Sequence, residues 1–159
     1  MRLFGLVVLA GYLFAAPAQA QSGMVRASDP AGLVRLLESK GLKSVVLSKD
    51  SYGDPTIDFE LSGYQTSLVF YDCNEETHTG CTSLQLRAGF DREQPWTAAA
   101  AMDVAKKLRF AAVWLDETGD PWVQWDIMTG SGIPADVFSE SIDLFGETID
   151  DVADMVFED

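Results

Sequence analysis

The stretch Phe70–Asp91, FYDCNEETHTGCTSLQLRAGFD, holds both cysteines and the single histidine of this 159-residue chain. Tyr64–Cys73 has the composition of a strand, and Thr82–Phe90 alternates apolar with polar side chains, which is the two-residue period of a strand. Only the short loop Asn74–Gly80 separates the two segments. The stretch therefore predicts two antiparallel strands joined by a short loop.

Cys73 and Cys81 are predicted to face each other across the neck of this hairpin. A structural zinc site usually takes four ligands in closely spaced pairs, but seven residues separate these cysteines and no fourth ligand is evident. The spacing also differs from the C-x-x-C of redox motifs. An even cysteine count in an exported chain favours a disulfide, which stabilises a loop of about nine residues by about 2.5 kcal/mol. A metal site and a redox pair are the alternatives.

His78 is expected at the tip of the loop, beside Glu75 and Glu76. A lone histidine in a turn is most often solvated, and no nucleophile or orienting group marks this one as a catalytic base. The alternative is a metal site in which His78 and a carboxylate of Glu75 or Glu76 bind copper or zinc.

The first 20 residues have the pattern of a cleavable secretory signal. Arg2 supplies the positive charge, and the apolar run Leu3–Ala16 is shorter than the ~20 residues that span a membrane. Ala18 and Ala20 are the small residues that signal peptidase requires. Cleavage after Ala20 predicts a periplasmic or secreted protein without membrane association after processing, and residues 21–28 are expected to be flexible.

The charge balance is strongly acidic, with 11 basic and 25 acidic residues and a formal net charge of −14. Loss of Arg2 with the signal leaves 10 basic residues and a charge of −15. Such a chain repels phosphate backbones, which argues against nucleic-acid binding. Residues 110–159 contain thirteen acidic side chains and no lysine or arginine. A basic partner or a cation is therefore favoured over an acidic one.

Helix signals divide the rest of the chain. Ser28–Pro30 starts a first helix and Gly41 ends it, Pro95–Leu108 reads as a second, and Pro134 starts a third. Strand patterns fill the intervals and give the order α-β-β-β-β-α-β-β-α. We therefore predict one α+β domain over residues 29–158, with an antiparallel sheet covered by helices.

The predicted third helix has one apolar stripe, formed by residues that recur at steps of three and four. Acidic side chains occupy the opposite side, and such a face is most often simply solvated. The alternative is a docking surface for a basic partner or an ion. Its candidate residues are Asp143, Glu147, Asp150 and Asp154.

A second hairpin is predicted from Phe110–Leu115 and Trp122–Met128 around an Asp- and Gly-rich turn. Alternation buries Val123, Trp125 and Ile127, so the other side chains of that strand point outward. An outward tryptophan near a sheet edge is a reasonable partner-binding anchor, unless a helix covers it. The outward candidates are Trp122, Gln124 and Asp126.

The chain has no sequence motif of a known catalytic site. G-x-S-x-G, H-E-x-x-H and P-loop patterns are absent, and the glycines near residue 130 do not form a dinucleotide fingerprint. The turn DETGD at residues 116–120 lacks the continuation of a calcium loop. We therefore predict a non-enzymatic protein without a cofactor.

Two segments resemble the YbjN-domain family, whose members are labelled as regulators of bacterial sensory transduction. The first is SLVFYDCNEETHTGCTSLQLRAGFD at Ser67–Asp91, and the second is LRFAAVWLDETGDPWVQWDI at Leu108–Ile127, followed by an amphipathic helix. The resemblance implies a fold like that of type III secretion chaperones, which bind other proteins and often dimerise. It supplies no catalytic residue.

Signal, cysteines and resemblance together predict an exported protein-interaction or chaperone-like regulatory module. A protein partner is expected, and the sequence leaves open whether the chain also forms a homodimer. The alternative is a periplasmic protein that binds a metal ion or small ligand through its acidic loops.

Overall fold

The computed structural model describes residues 23–157. The predicted signal peptide at 1–20 lies outside the described residues, as does Glu158. Among the described residues, three helices and eight strands make one α+β domain. The helices and six of the strands follow the predicted order, and the other two strands, which were not predicted, have two residues each. The elements are β1 (Met24–Val25), α1 (Pro30–Ser39), β2 (Lys43–Lys49), β3 (Pro55–Leu61), β4 (Tyr64–Tyr71), β5 (Ser83–Gly89), α2 (Ala98–Ala105), β6 (Ala112–Leu115), β7 (Pro121–Met128), β8 (Ile133–Pro134) and α3 (Ala135–Phe157).

Six strands form one sheet in the order β2-β3-β4-β5-β7-β6, and every neighbouring pair is antiparallel. The hairpin β4–β5 that opened the sequence analysis therefore lies at the middle of the sheet. β2 and β6 are its two edges. β1 and β8 pair separately, next to the start of α3.

One face of the sheet carries the core. Every second residue along β3 and β5 points to this face, and all of these apolar side chains are buried. The predicted stripe of α3 is also buried and packs into the same cluster, together with residues of α1 and α2. These are the positions that the sequence periodicity predicted: Ile57, Phe59, Leu61, Leu84, Leu86, Ala88, Phe90, Phe138, Ile142, Phe145, Ile149, Val152 and Val156.

Side-chain caps decide where the first two helices begin. The carboxylate of Asp29 accepts a hydrogen bond from the backbone N–H of Gly32 at 2.9 Å, with Pro30 in the first turn. The hydroxyl of Thr97 likewise accepts from the N–H of Ala100 at 3.2 Å. For this reason α2 begins at Ala98 and not at the predicted Pro95.

The segment 21–28 was expected to be flexible, and its described residues, 23–28, contact the rest of the domain. Val25 is buried and pairs with Ile133, and Ala27 is fully buried. The N–H of Ala27 donates to the hydroxyl of Thr129 at 3.0 Å. Two apolar side chains of this polar stretch therefore add to the core, Val25 and Ala27.

The sixth strand is shorter than its predicted span. Phe110 has a φ of 64°, in the left-handed region, so the chain turns there and β6 starts at Ala112. The ring of Phe110 is 67% exposed and lies 5.3 Å from the ring of Trp125. Trp125 is accordingly half-buried, whereas Val123 and Ile127 are buried as predicted.

The second face of the sheet carries no helix among the described residues, because the buried residues of all three helices belong to the core on the first face. We call this second face the open face. No helix within residues 23–157 is long and apolar enough to cross a membrane.

Candidate interaction surface

The two cysteines continue the register of the central hairpin. Tyr71 is opposite Ser83, and two residues further along each strand Cys73 is joined to Cys81 by a disulfide with an S–S distance of 2.07 Å. Cys81 is buried against the core. The predicted disulfide is thus present in the structure, at the neck of the loop.

The imidazole of His78 contacts an acidic residue that the sequence did not suggest. Its Nδ1 is 2.9 Å from a carboxylate oxygen of Asp54, in the turn between β2 and β3. The ring packs so closely on Gly53 that a Cβ there would lie 3.2 Å from it. The side chain is 33% exposed, so it is partly covered by these neighbours and partly solvated. Asn74 causes this, since its side chain accepts from backbone N–H groups and folds the loop back on itself.

The acidic partner of His78 in the structure is therefore neither of the two predicted co-ligands. Glu75 and Glu76 are exposed, while the imidazole of His78 is directed to Asp54 on another loop. Within the described part of the chain, no group of three or more histidine, cysteine or carboxylate residues could hold a metal ion.

The seven predicted partner-binding residues lie on two separate surfaces. Trp122, Gln124 and Asp126 point to the open face, as predicted. The acidic residues of α3 are exposed on the side of the helix that faces away from the sheet. Two of the four make contacts within the chain. Asp143 forms a salt bridge with Lys40 at 3.0 Å, and Asp150 accepts a hydrogen bond from Ser62 at 3.1 Å. The other two are Glu147 and Asp154.

Trp122 is part of an aromatic pair at the β6 edge of the open face. Its ring stacks on that of Trp114, with 5.6 Å between centroids and 16° between planes. Trp114 is 37% exposed and Trp122 is half-buried. On its other side Trp122 lies over Gly89, where an added Cβ would be 2.7 Å from the ring. We refer to Trp114 and Trp122 as the tryptophan pair.

The β6–β7 turn holds this pair in place. The indole N–H of Trp122 donates to Asp116 at 3.3 Å. The same carboxylate accepts from the hydroxyl and the N–H of Thr118 and from the N–H of Asp120. The hydrogen bond from the Thr118 side chain, with the others, lowers the pKa of Asp116 to about 2.

A polar network lies further along the open face, around Gln85 of β5. Arg87 donates from Nε to the amide oxygen of Gln85 at 2.5 Å and from its terminal nitrogen to the hydroxyl of Tyr71. Gln85 donates in turn to Asp126 at 2.6 Å. Gln85 is only 7% exposed although it points to the open face, because these neighbours cover it.

A family model, YbjN, described as "Putative bacterial sensory transduction regulator", matches residues 29–158. The chain belongs to the YbjN family. No curated protein and no solved structure was found to match it. The suspected family is thus confirmed, and it fits a regulatory or interaction module, while the likeness to type III secretion chaperones stays a prediction.

Three members of the open-face surface of this YbjN domain escaped the sequence reasoning: Trp114, Arg87 and Gly89. Trp114 could have been found from the sequence, because a hairpin turn centred on residue 118 places it opposite Trp122. The position of Gly89 under Trp122 depends on the pairing of β5 with β7. Because 31 residues lie between these two strands in the sequence, no local pattern predicts that pairing.

The YbjN domain also has a cleft of about 570 Å³ between α2 and the end of α3. Arg92, Trp96, Lys107 and Met155 are among its lining residues. The cleft is on the helix side of the sheet and does not include the tryptophan pair. It therefore forms no part of the open-face surface.

Proposed function

We propose that this YbjN protein is an exported, non-enzymatic interaction module that binds a partner protein through the open face of its sheet. The tryptophan pair is the centre of the binding surface. The observation that carries the proposal is a stacked pair of tryptophans, partly exposed, on a sheet face that no described helix covers.

The pair has the physical properties of an interface anchor. Tryptophan combines a large apolar area with a polar N–H and loses little side-chain entropy when it is bound. Here the entropy cost is lower still, because Gly89 and Asp116 already hold the ring of Trp122. Truncation of such anchors at the centre of an interface typically weakens binding by about 2 kcal/mol or more.

The family description supports a regulatory role over a catalytic one. Export rests on the signal at residues 1–20 and on the disulfide, because disulfides persist in oxidising compartments. The acidic side of α3 is a second surface. A basic partner there remains a separate proposal, and two of its four candidate carboxylates already have contacts within the chain.

Affinity capture from periplasmic extract tests the proposal. Wild-type protein, Trp114→Ala, Trp122→Ala and Tyr52→Ala would serve as baits at matched concentration. Tyr52 is the control, since it is an aromatic side chain that is 81% exposed and lies in the distant β2–β3 turn. We expect one partner to bind wild type and Tyr52→Ala, and to be lost from both tryptophan variants.

The captured partner is then purified and titrated against the four baits, whose melting temperatures are measured in parallel. A tenfold or greater loss of affinity in folded Trp122→Ala supports the open face as the binding surface. Equal affinity for all four baits contradicts it.

A further inference from the structure

β6 is an edge of the sheet, and two of its residues direct their backbone hydrogen-bonding groups outward. Asp116 donates its N–H to the carbonyl of Asp120 at 3.0 Å, so these two residues form a hydrogen-bonded pair at the end of the β6–β7 ladder. Such pairs recur at every second residue of an antiparallel ladder, so the next one on β6 is Trp114. Val113 and Leu115 alternate with them, and the N–H and C=O groups of both therefore point away from β7.

A second hydrogen bond supports this assignment. The carbonyl of Pro121, opposite Leu115, accepts from the N–H of Phe90 at 3.0 Å on the other side of β7, so it is not paired with Leu115. Within residues 23–157, no hydrogen bond reaches the outer N–H and C=O groups of Val113 or Leu115. Unpaired groups of this kind at a sheet edge are a template on which a further strand pairs.

The opposite edge, β2, has features that prevent such pairing, whereas β6 lacks them. The register of β2 shifts between Lys43 and Val46, where Ser44 has a φ of 57°. Exposed lysines also stand at both ends of β2, Lys43 and Lys49. Bulges and lysines are common means of protecting an edge strand. β6 has the sequence AVWL, without a charged residue, a proline or a register shift against β7. Of the two edges, β6 is therefore the one suited to an added strand.

An added strand at β6 would extend the open face next to the tryptophan pair. Val113 lies opposite the buried Val123 and packs against the core, on the side where α2 contributes Val104. Trp114 points to the other side, the open face. A residue of the added strand opposite Trp114 would form a pair without backbone hydrogen bonds, in which the Cα atoms are about 4.5 Å apart and the side chains are closest. Its side chain would therefore contact the ring of Trp114.

The charges at the two ends of β6 differ in sign. The β6–β7 turn contains three carboxylates, those of Asp116, Glu117 and Asp120. Glu117 is exposed and forms no salt bridge with a described residue. The hydrogen bonds that begin with the Thr118 side chain hold the pKa of Asp116 at about 2, so its carboxylate is charged at neutral pH. Arg109 precedes the opposite end of the strand. A partner segment is therefore favoured when its basic end lies beside the turn.

We propose that β6 is a site of strand addition, at which an extended segment of the partner pairs antiparallel with β6. A basic residue of the segment lies beside the β6–β7 turn, and the residue two positions after it is apolar or aromatic and contacts Trp114. Antiparallel pairing is expected because every pair of the sheet is antiparallel, and main-chain hydrogen bonds then supply part of the affinity. The inference rests on the proposed function and specifies how the partner binds.

Selection from a displayed library of random 12-residue peptides tests the proposal, with the mature protein as bait. Val113→Pro removes an outer N–H of β6 and no hydrogen bond to β7, which is the position at which an edge strand tolerates proline. Leu47→Pro is the matched control on β2. There Asp50 donates to Asp54 at 2.9 Å, and the same alternation directs the N–H of Leu47 outward. The double variant Trp114→Ala/Trp122→Ala reports on the tryptophan pair, and melting temperatures are measured for every bait.

We expect wild type and Leu47→Pro to enrich peptides with lysine or arginine two residues before an apolar or aromatic residue. Val113→Pro should weaken the binding of a purified peptide about tenfold or more, and Leu47→Pro by less than about twofold. Changing the basic residue of the peptide to glutamine should weaken binding to wild type by about two- to fivefold, as for an exposed ion pair. The same change should have a smaller effect on binding to Glu117→Gln.

N-methylation of the peptide gives a test that does not depend on the folding of Val113→Pro. Methylation of either amide that donates to Val113 or Leu115 should weaken binding about tenfold or more. Methylation of the residue between them should have a much smaller effect, because its N–H points away from β6. Equal effects at the three positions would contradict strand pairing.

The possible failures are distinguishable. Peptides that are lost on the double tryptophan variant but are unaffected by Val113→Pro and by N-methylation overturn strand addition and leave the proposed surface intact. Peptides that depend on Val113→Pro and on N-methylation but bind the double tryptophan variant like wild type support strand addition and overturn the tryptophan pair as the centre of the surface. Equal enrichment on every bait overturns both. Sedimentation as a dimer that Val113→Pro abolishes, without peptide enrichment, would assign the edge to a second copy and overturn the proposal.

Discussion

The ring of Trp122 lies directly over the backbone of Gly89, and a Cβ at residue 89 would come within 2.7 Å of it. The absence of a side chain at this position of β5 allows the indole to lie down on the sheet and to stack on Trp114. A backbone position in one strand thereby sets the orientation of an aromatic ring in the next.

Gly89→Ala is therefore expected to displace Trp122 and to disrupt the tryptophan pair. Overpacking of this kind typically costs 1–3 kcal/mol, so the free energy of unfolding should fall by about that amount. Near-ultraviolet circular dichroism and urea unfolding measure the two effects. Gly23→Ala is the control, since an added Cβ there meets nothing within 4 Å. An unchanged aromatic spectrum in Gly89→Ala would contradict the stacked arrangement.

The disulfide predicts a defined thiol count. The unfolded mature protein should have no free thiol without reductant and two after reduction, because Cys73 and Cys81 are bonded to each other. The double variant Cys73→Ser/Cys81→Ser should unfold about 2.5 kcal/mol more readily, from the entropy of the closed loop. Thiol titration and urea unfolding are the measurements. Two reactive thiols in freshly exported protein would reopen the metal and redox alternatives.

The burial of the apolar stripe of α3 predicts how substitutions in this helix change the free energy of unfolding, and a neighbouring exposed residue is the control. Phe138 is fully buried, so Phe138→Ala should lower the free energy of unfolding by about 3–5 kcal/mol through lost burial and a cavity. Val137, the preceding residue, is 47% exposed, and Val137→Ala should change it by less than about 1 kcal/mol. Comparable losses in the two variants would show that α3 packs in a different rotation.

The hydrogen bonds to Asp116 predict a pH effect in acid. Its folded pKa of about 2 is below the unfolded value of about 3.9, so its contribution to stability is complete above pH ~4 and is lost as the pH falls toward 2. Asp116→Asn should therefore reduce the loss of stability between pH 4 and pH 2. Glu117→Gln is the control, because Glu117 is exposed in the same turn. Identical acid-unfolding curves for wild type and Asp116→Asn would refute this.

The secretory signal predicts a processed N-terminus. Expressed with its first 20 residues, the protein should be recovered from the periplasmic fraction with Gln21 as its first residue. Ala20→Arg should block processing, because signal peptidase needs a small residue at that place. N-terminal sequencing and intact mass measure both. Recovery of unprocessed protein from the cytosol would contradict export.

The local sequence pattern was sufficient to predict which residues are buried within a single helix or strand. The steps of three and four in α3 and the alternation in β3 and β5 named buried residues correctly, because helix and strand periodicity determine which side chains share a face. The bounds of α2 and β6 were less accurate. They depend on the Thr97 cap and on the left-handed Phe110, whose effects compete with the apolar pattern.

The sequence by itself determined the α+β class, the hairpin with its disulfide, the core faces and the family. Only the tertiary structure decided that His78 contacts Asp54, that Trp122 stacks between Gly89 and Trp114, and that Arg87 contacts Tyr71. The physical reason is the distance along the sequence over which each kind of interaction acts. Periodicity and turn chemistry act over a few residues, whereas these contacts join strands and loops whose pairing is set by the packing of the whole sheet.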